Sequence, residues 1–321
     1  MAKNKDTLSR RDFLGRSLGA VAALPALPAV AAAAATKIPH RVLGRTGVSV
    51  PILAFGGGSR FLMYEPEEAG LAALNRAIDM GITYLDTAID YGDGKSESRV
   101  GQVMKTRRKE VFLATKVPER ARTRDAALKE VEASLKRLQT DLLDLLHVHS
   151  LGHEDDLAKI EAPDGVLKAF YQLREQKVAR FIGMTSHTDG AVMAKAIQRN
   201  DLDCVQMAMN PARANQFEER ALPAARAKNL GVILMKVTGQ EHLLGAGKAE
   251  AAPLLRYAWS LPVSTVVCGM PKPEFVEANV ASARGFTPMP AGEMDRLREQ
   301  LAGQRVVLEQ FFAGHRDCRM A

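Results

Sequence analysis

Four ionisable residues of four types stand where short apolar segments stop. Asp86 closes ITYLD, Lys116 closes EVFLATK and His149 closes DLLHVH, while Tyr91 follows Asp86 by five residues. Each has an ordinary structural role open to it. Asp86 can cap a helix, Lys116 can be a solvated strand end and Tyr91 can pack in a loop. Together they suit proton transfer at a carbonyl or alcohol oxygen. A free phenol ionises near pH 10, too high for efficient acid–base work at neutral pH. An adjacent ammonium favours the phenolate, and a carboxylate keeps that ammonium charged and in place. An imidazole beside the phenol can donate a hydrogen bond to a substrate oxygen or share the proton. Such a transfer needs a redox partner, which a nicotinamide hydride would supply.

Residues this far apart in sequence need a scaffold that gathers strand ends. From about residue 38 the chain alternates between apolar strand-like runs and helix-like stretches. The segment HRVLGRTGVSV predicts a small hairpin turning at Arg45-Thr46-Gly47. A first strand over 52–55 is followed by ITYLD, EVFLATK, DLLHVH, ARFIGM, CVQMAM, GVILMK and STVVCG. Between them, Leu71, Leu74 and Ile78 line one helical face, and Leu128, Val131, Leu135 and Leu138 line another. Gly81 and Gly231 fall between helix and strand, where a left-handed residue often ends a helix. A last helix of the repeat is predicted to start near Pro273. Eight strand–helix units whose strands read as apolar runs predict an α/β fold, a (β/α)8 TIM barrel preceded by a short β-hairpin. An open doubly wound sheet would call for G-x-G-x-x-G after an early strand, and Gly56-Gly57-Gly58 does not continue that way. In a closed barrel the chemistry belongs at the C-terminal ends of the strands, where the four residues lie.

The first 35 residues have a different composition. A basic start with Lys3, Lys5, Arg10, Arg11 and Arg16 precedes an uncharged stretch of small apolar residues. Ala29-Val30-Ala31 and the alanines to Ala35 offer small-x-small cleavage positions. Gly19, Pro25 and Pro28 weaken the run, which argues against a retained span of about 20 strongly apolar residues. Ser9-Arg10-Arg11-Asp12-Phe13-Leu14 resembles the bacterial twin-arginine signal, which implies the twin-arginine export machinery as partner of the precursor and a periplasmic or otherwise exported product. The division is then 1–35 signal and 36–321 barrel. The barrel region carries 39 basic against 35 acidic residues, a surplus too small to point to nucleic acid. Cys204, Cys268 and Cys318 stand far apart and form no zinc or iron–sulfur set. Cys204 and Cys268 read as core, and Cys318 as exposed.

The run YLDTAIDYGDGKSESRVG, with Asp86, Tyr91, Ser96, Glu97 and Gly101, resembles the aldo-keto reductase family. So do FLATK, LDLLHVH, KVARFIGMTS, the Gln206 to Asn210-Pro211 segment and GMPKPEFVEAN. The resemblance runs in order along the chain after the leader. It implies a barrel that binds NADP(H), with NAD(H) as the second choice, without a Rossmann domain, and that acts on a small carbonyl substrate or its alcohol. Tyr91 would be the acid in reduction and the base in oxidation. Lys116 and Asp86 would tune it, and His149 would orient the carbonyl. Thr185, Ser186 and Gln206 match the positions that hold the carboxamide. Gly269, Met270, Lys272, Glu277 and Asn279 fall where the family binds the adenosine end. Gly56 and Gly57 lie where the first loop nears the cofactor.

Three departures bear on binding. Thr185-Ser186 replaces a common Ser-Asn pair, so a hydroxyl is kept and an amide lost. Met235 stands where a stacking Tyr or Trp is common, and its sulfur can pack on an aromatic ring. Lys272 is the obvious cation where many members carry a basic pair, and one lysine holds a phosphate less well than a bidentate arginine. Some relatives bind iron–sulfur through a C-terminal cysteine cluster. FFAGHRDCRMA has a single cysteine, so no such cluster is expected. Arg60, Arg120 and Arg122, in loops over 58–64 and 117–124, hint at an anionic or polar substrate unless they are simply solvated. Residues 150–162 and the C-terminal tail would complete the substrate loops. Two other readings remain open. His147-Val148-His149 spells the H-x-H of metal-dependent barrel hydrolases, although His187 is the sole further histidine near a strand end and no metal is expected. A non-catalytic barrel that binds a dinucleotide and acts as a sensor would keep the same pattern.

Overall fold

The computed structural model describes residues 37–315. The leader expected over 1–35, its cleavage positions and Cys318 lie outside them. Two short strands, β1 (His40–Val42) and β2 (Ser49–Pro51), pair antiparallel with Arg41 opposite Val50. Their connection is a single 3-10 turn over Gly44–Thr46, ended by Gly47 at φ 71°. Eight parallel strands then close on themselves in chain order. They are β3 (Leu53–Gly56), β4 (Tyr84–Asp86), β5 (Phe112–Val117), β6 (Leu143–Val148), β7 (Ala179–Ser186), β8 (Cys204–Ala208), β9 (Gly231–Met235) and β10 (Thr265–Cys268). The barrel seam is the pairing of β10 with β3, Cys268 opposite Phe55. The expected (β/α)8 barrel with its N-terminal hairpin is therefore what the chain forms.

The barrel interior is filled at its N-terminal end. Ala54, Tyr84, Phe112, Leu145, Cys204 and Ile233 project from six strands, and Leu43 and Val50 of the hairpin close the layer from below. Tyr84 stacks on Phe112 at 5.0 Å between ring centroids, and Phe112 on Phe181 at 6.3 Å. Offset stacking in a dry layer adds to the burial of these rings. Burial holds the Cys204 thiol well above its ordinary pKa, so it is a packing group. Cys268, expected in the core, is half-buried at the end of β10, and burial pushes its thiol up to about 12.

Gly81 is left-handed at φ 101°, as expected of a residue that ends a helix. Gly231 is not. It is the first residue of β9, and a Cβ there would lie 2.7 Å from Leu43 and 2.8 Å from the Cys204 sulfur. The left-handed residue after that helix is Asn229, at φ 52°. Gly231 is needed for close approach of the hairpin plug, a long-range reason that local sequence does not carry. The two anticipated helical faces are present in Glu67–Asp79 and Arg124–Leu138, where Leu74, Ile78, Val131 and Leu138 are buried. With one end of the barrel sealed by apolar side chains, polar groups collect at the other. Among the described residues, no helix is long and apolar enough to cross a membrane.

Candidate active site

Asp86 is the last residue of β4, Lys116 the fifth of six in β5, and His149 lies one residue past β6. Tyr91 stands in the turn between β4 and the helix Lys95–Arg107, which is held by hydrogen bonds from Tyr91 N to Ala88 O and from Gly94 N to Ile89 O. The structure brings all four together. Lys116 Nζ donates to Asp86 Oδ1 at 2.7 Å, to the Thr87 carbonyl at 2.8 Å and to Tyr91 Oη at 3.1 Å. The rings of Tyr91 and His149 meet edge to face, 5.9 Å between centroids. All four side chains are buried, Tyr91 the least at 8% exposed. A charged pair this deep is tolerable because each hydrogen bond of the ammonium is made.

Residues around the quartet hold it in shape. Ser96 Oγ donates to the Gly57 carbonyl at 2.6 Å and meets Thr87 Oγ1 at 2.8 Å, tying the loops after β3 and β4. Glu97 is fully buried and accepts from Thr115 Oγ1 and from Arg137 Nε, each at 2.6 Å, which ties β5 to the neighbouring helix. Arg122 grips Asp156 with Nε and Nη2, at 2.8 and 2.9 Å, and its Nη2 donates to the His149 carbonyl at 2.8 Å. Arg122 thus secures the backbone of a site residue and is not a solvated cation, while its Nη1 is buried with no hydrogen bond. Arg60 pairs with Glu241, and Arg120 with Asp90 and Glu130. The three loop arginines are all neutralised by carboxylates of the chain itself.

One participant was missed from sequence. Asp90 Oδ2 lies 3.0 Å from His149 Nδ1. An aspartate beside a tyrosine carries no local signal, because its partner is 59 residues away. His147, two residues before His149, is fully buried, and neither ring nitrogen has a hydrogen bond. It lies opposite Gly183 on β7, where the absent side chain leaves room for the ring. Burial first, then the charges of Lys116 and His149, holds its imidazole well below the usual pKa, so it is neutral. Among the described residues no three His, Cys, Asp or Glu side chains are grouped to hold a metal ion. His187 packs against Phe312 and His315 of the C-terminal segment.

The residues expected to bind the cofactor follow the same rim. Gly57 N donates to the Asp86 carbonyl at 2.7 Å, and a Cβ on Gly57 would lie 2.8 Å from that oxygen and from Ser96 Oγ. Gly56 lies opposite Asp86 in register. Thr185 pairs in register with Gln206 on β8. Thr185 Oγ1 accepts from Ser150 N at 2.8 Å, which leaves its own proton to donate, whereas Ser186 Oγ spends its proton on the Leu151 carbonyl at 2.7 Å. Gln206 Nε2 reaches the Met235 sulfur at 3.6 Å, and its Oε1 is buried with no hydrogen bond. An unpaired buried amide oxygen costs about 1–3 kcal/mol, and an N–H donor from a bound carboxamide would relieve it. Beyond β10, Gly269 faces the Arg60 stem and Met270 is buried. Lys272 precedes the helix Pro273–Arg284 and is exposed, Glu277 on that helix pairs with Arg76 at 3.5 Å, and Asn279 is half-buried. The helix Arg305–Gly314 lies over the loops after β7, β8 and β9, with Phe312 on His187, Glu309 accepting from Asn215 N and Leu308 against Gly239.

Residues 53–253 match the Aldo/keto reductase family. An aldo-keto reductase of Schizosaccharomyces pombe, whose name includes NADP(+), is 32% identical over 228 residues, which are 66% of this chain and 64% of that protein. The L-galactose dehydrogenase of Arabidopsis thaliana is 32% identical over 161 residues, 47% of this chain and 49% of that one. The chain thus spans about half to two thirds of these two relatives. Among solved structures, an aldo-keto reductase from Klebsiella pneumoniae in complex with NADPH superposes with a TM-score of 0.69 at 24% identity, covering 83% of this chain and 95% of the other. That likeness is one of fold.

Proposed function

The chain belongs to the aldo/keto reductase family, whose members are NAD(P)-dependent oxidoreductases, and on that premise we propose that it interconverts a small aldehyde or ketone and its alcohol, with NADP(H) ahead of NAD(H). The observation that carries this reading is Lys116 Nζ, shared between Asp86 Oδ1 and Tyr91 Oη beside His149. In reduction a carbonyl gains a hydride at carbon and a proton at oxygen. When bound, the nicotinamide supplies the hydride. The phenol of Tyr91 supplies the proton, and the Lys116 ammonium, 3.1 Å away, stabilises the charge left on the phenol oxygen. Asp86 holds that ammonium, and burial of the whole set keeps water from weakening these charges. In oxidation the same oxygen takes the proton back. His149 places the substrate oxygen beside the phenol.

Thr185, Ser186 and Gln206 would hold the carboxamide, Met235 would pack on the nicotinamide ring, and Gly57 would permit close approach over the loop after β3. The choice of NADP(H) rests on the family and on the name of the Schizosaccharomyces pombe relative, with Lys272, past β10, as a single cation for the phosphate. The test is turnover by the purified barrel. It should oxidise NADPH when one of a panel of aldehydes and ketones is added, and not without one. Tight NADPH binding with no turnover on any member would overturn the enzymatic reading in favour of a dinucleotide-binding sensor.

Export belongs to the same proposal. It rests on the Arg10-Arg11 pair, the small apolar stretch after it and the candidate cleavage positions up to Ala35. A barrel that encloses a dinucleotide can fold around it in the cytoplasm and cross the membrane loaded by a route that carries folded proteins. With Arg10→Lys and Arg11→Lys together, the full-length chain should remain in the cytoplasmic fraction, while the unaltered chain reaches the periplasm in shortened form. Immunoblots of the two fractions decide, and export of the double-lysine chain would overturn the twin-arginine route.

A further inference from the structure

Asp90 joins His149 to the surface charge network. Its Oδ2 lies 3.0 Å from His149 Nδ1, and its Oδ1 accepts from Arg120 Nη1 at 2.9 Å. Asp90 and His149 are both buried. Burial alone would raise the Asp90 carboxyl pKa, but the hydrogen bonds and charges of His149 and Arg120 outweigh it and hold the group below its ordinary value. It is therefore a carboxylate, and a carboxylate only accepts hydrogen bonds. His149 Nδ1 must then be the donor. A neutral imidazole with its proton on Nδ1 has a lone pair on Nε2, and Nε2 carries a proton only when the ring is charged.

Resting on the reductase reading above, we propose that Asp90 is a positioning residue that locks the proton of His149 onto Nδ1, so that Nε2 serves the substrate oxygen as an acceptor in the neutral ring and as a donor only in the imidazolium. The local charges divide over this. On the β4 side Asp90 favours the imidazolium, Tyr91 meets the ring edge to face, and Asp86 stands behind the ammonium. Lys116 on β5 opposes the imidazolium, and His147 on β6 is neutral. Past β5, Arg120 acts through Asp90, and Arg122, paired with Asp156 of Glu154–Ile160, holds the His149 carbonyl. Carbonyl reduction then calls for the imidazolium, which can donate to the carbonyl oxygen. Alcohol oxidation runs the same geometry backwards: the alcohol proton goes to Tyr91 Oη, and the imidazolium holds the oxygen that becomes the carbonyl. No atom beyond the hydride and proton of the overall reaction is required.

The test pairs a spectroscopic measurement with a rate profile. Nitrogen NMR of histidine-labelled protein, with the His149 signals assigned by their loss in His149→Asn, should find the neutral ring protonated at Nδ1. In kinetics, kcat/KM for reduction should fall above the pH at which the imidazolium loses its proton. Asp90→Asn removes the charge and should move that limb to lower pH by about 1–2 units, while Asp90→Glu should restore much of the position. A neutral His149 protonated at Nε2 in the unaltered protein would overturn the assignment, as would a limb that stays in place in Asp90→Asn. If Asp90→Asn fails to fold, the NMR result on the unaltered chain still decides. Protonation at Nδ1 in a protein that turns over no carbonyl would sink the reductase reading and uphold the tautomer.

Discussion

Tyr91→Phe is expected to lower carbonyl reduction by about 10²–10⁴-fold, the range for loss of a positioned acid, while leaving the fold and cofactor binding intact. The expectation rests on what the substitution leaves in place. The ring stays edge to face with His149, keeps the Lys116 ammonium 4.7 Å from its centroid and keeps its face toward Gly58. Lys116 loses one of three hydrogen bonds but retains Asp86 Oδ1 and the Thr87 carbonyl, so no buried charge is stranded. What disappears is the proton carried 3.1 Å from that ammonium. Single-turnover oxidation of bound NADPH, with a cofactor-binding titration beside it, separates chemistry from binding. Turnover within tenfold of the unaltered protein would show that Tyr91 is not the acid.

Lys116→Met should be the more damaging change to the molecule itself, costing about 3–5 kcal/mol of stability in addition to activity. Asp86 is buried, its Oδ2 has no hydrogen bond, and Oδ1 depends on Lys116. Removing the ammonium leaves an uncompensated carboxylate in the interior. Methionine fills a similar volume, so the loss reports the charge and not a cavity. The double variant Lys116→Met with Asp86→Asn should recover part of the stability and none of the activity, because the stranded charge is gone while the ammonium beside Tyr91 is still absent. Urea unfolding of the three proteins reads this directly. Equal destabilisation of the single and double variants would mean that the pair is not coupled as its 2.7 Å contact implies.

The quartet was legible because each member ends a recognisable segment. A parallel barrel strand is apolar along its length, so a charged residue at its C-terminal end stands out against Leu, Ala and Val. Barrel closure then brings those ends to one mouth whatever the separation in sequence. The same logic failed for groups whose role depends on a single distant neighbour. Gly231 reads locally as a helix terminator, and only the packing of Leu43 of the hairpin shows why a side chain is excluded there. Arg122 reads as a loop cation, and only its grip on Asp156 and the His149 carbonyl shows it to be internal scaffolding. The pattern of Ser96 and Glu97 was visible in the sequence, but their work, on the Gly57 carbonyl and on Thr115, was not.

By itself the sequence determined the periodic alternation, hence the barrel, and the four residue types at its mouth, hence the class of chemistry. Both follow from short-range rules: apolar runs for strands buried on both faces, apolar spacing along a helix and the placement of strand ends. Tertiary structure alone decided the protonation geometry. Asp90 meets His149 across 59 residues, and Lys116 finds Asp86 and Tyr91 across 30 and 25. Hydrogen bonds act over about 3 Å, and no pattern along a chain specifies which distant donor will come within that range until the barrel closes.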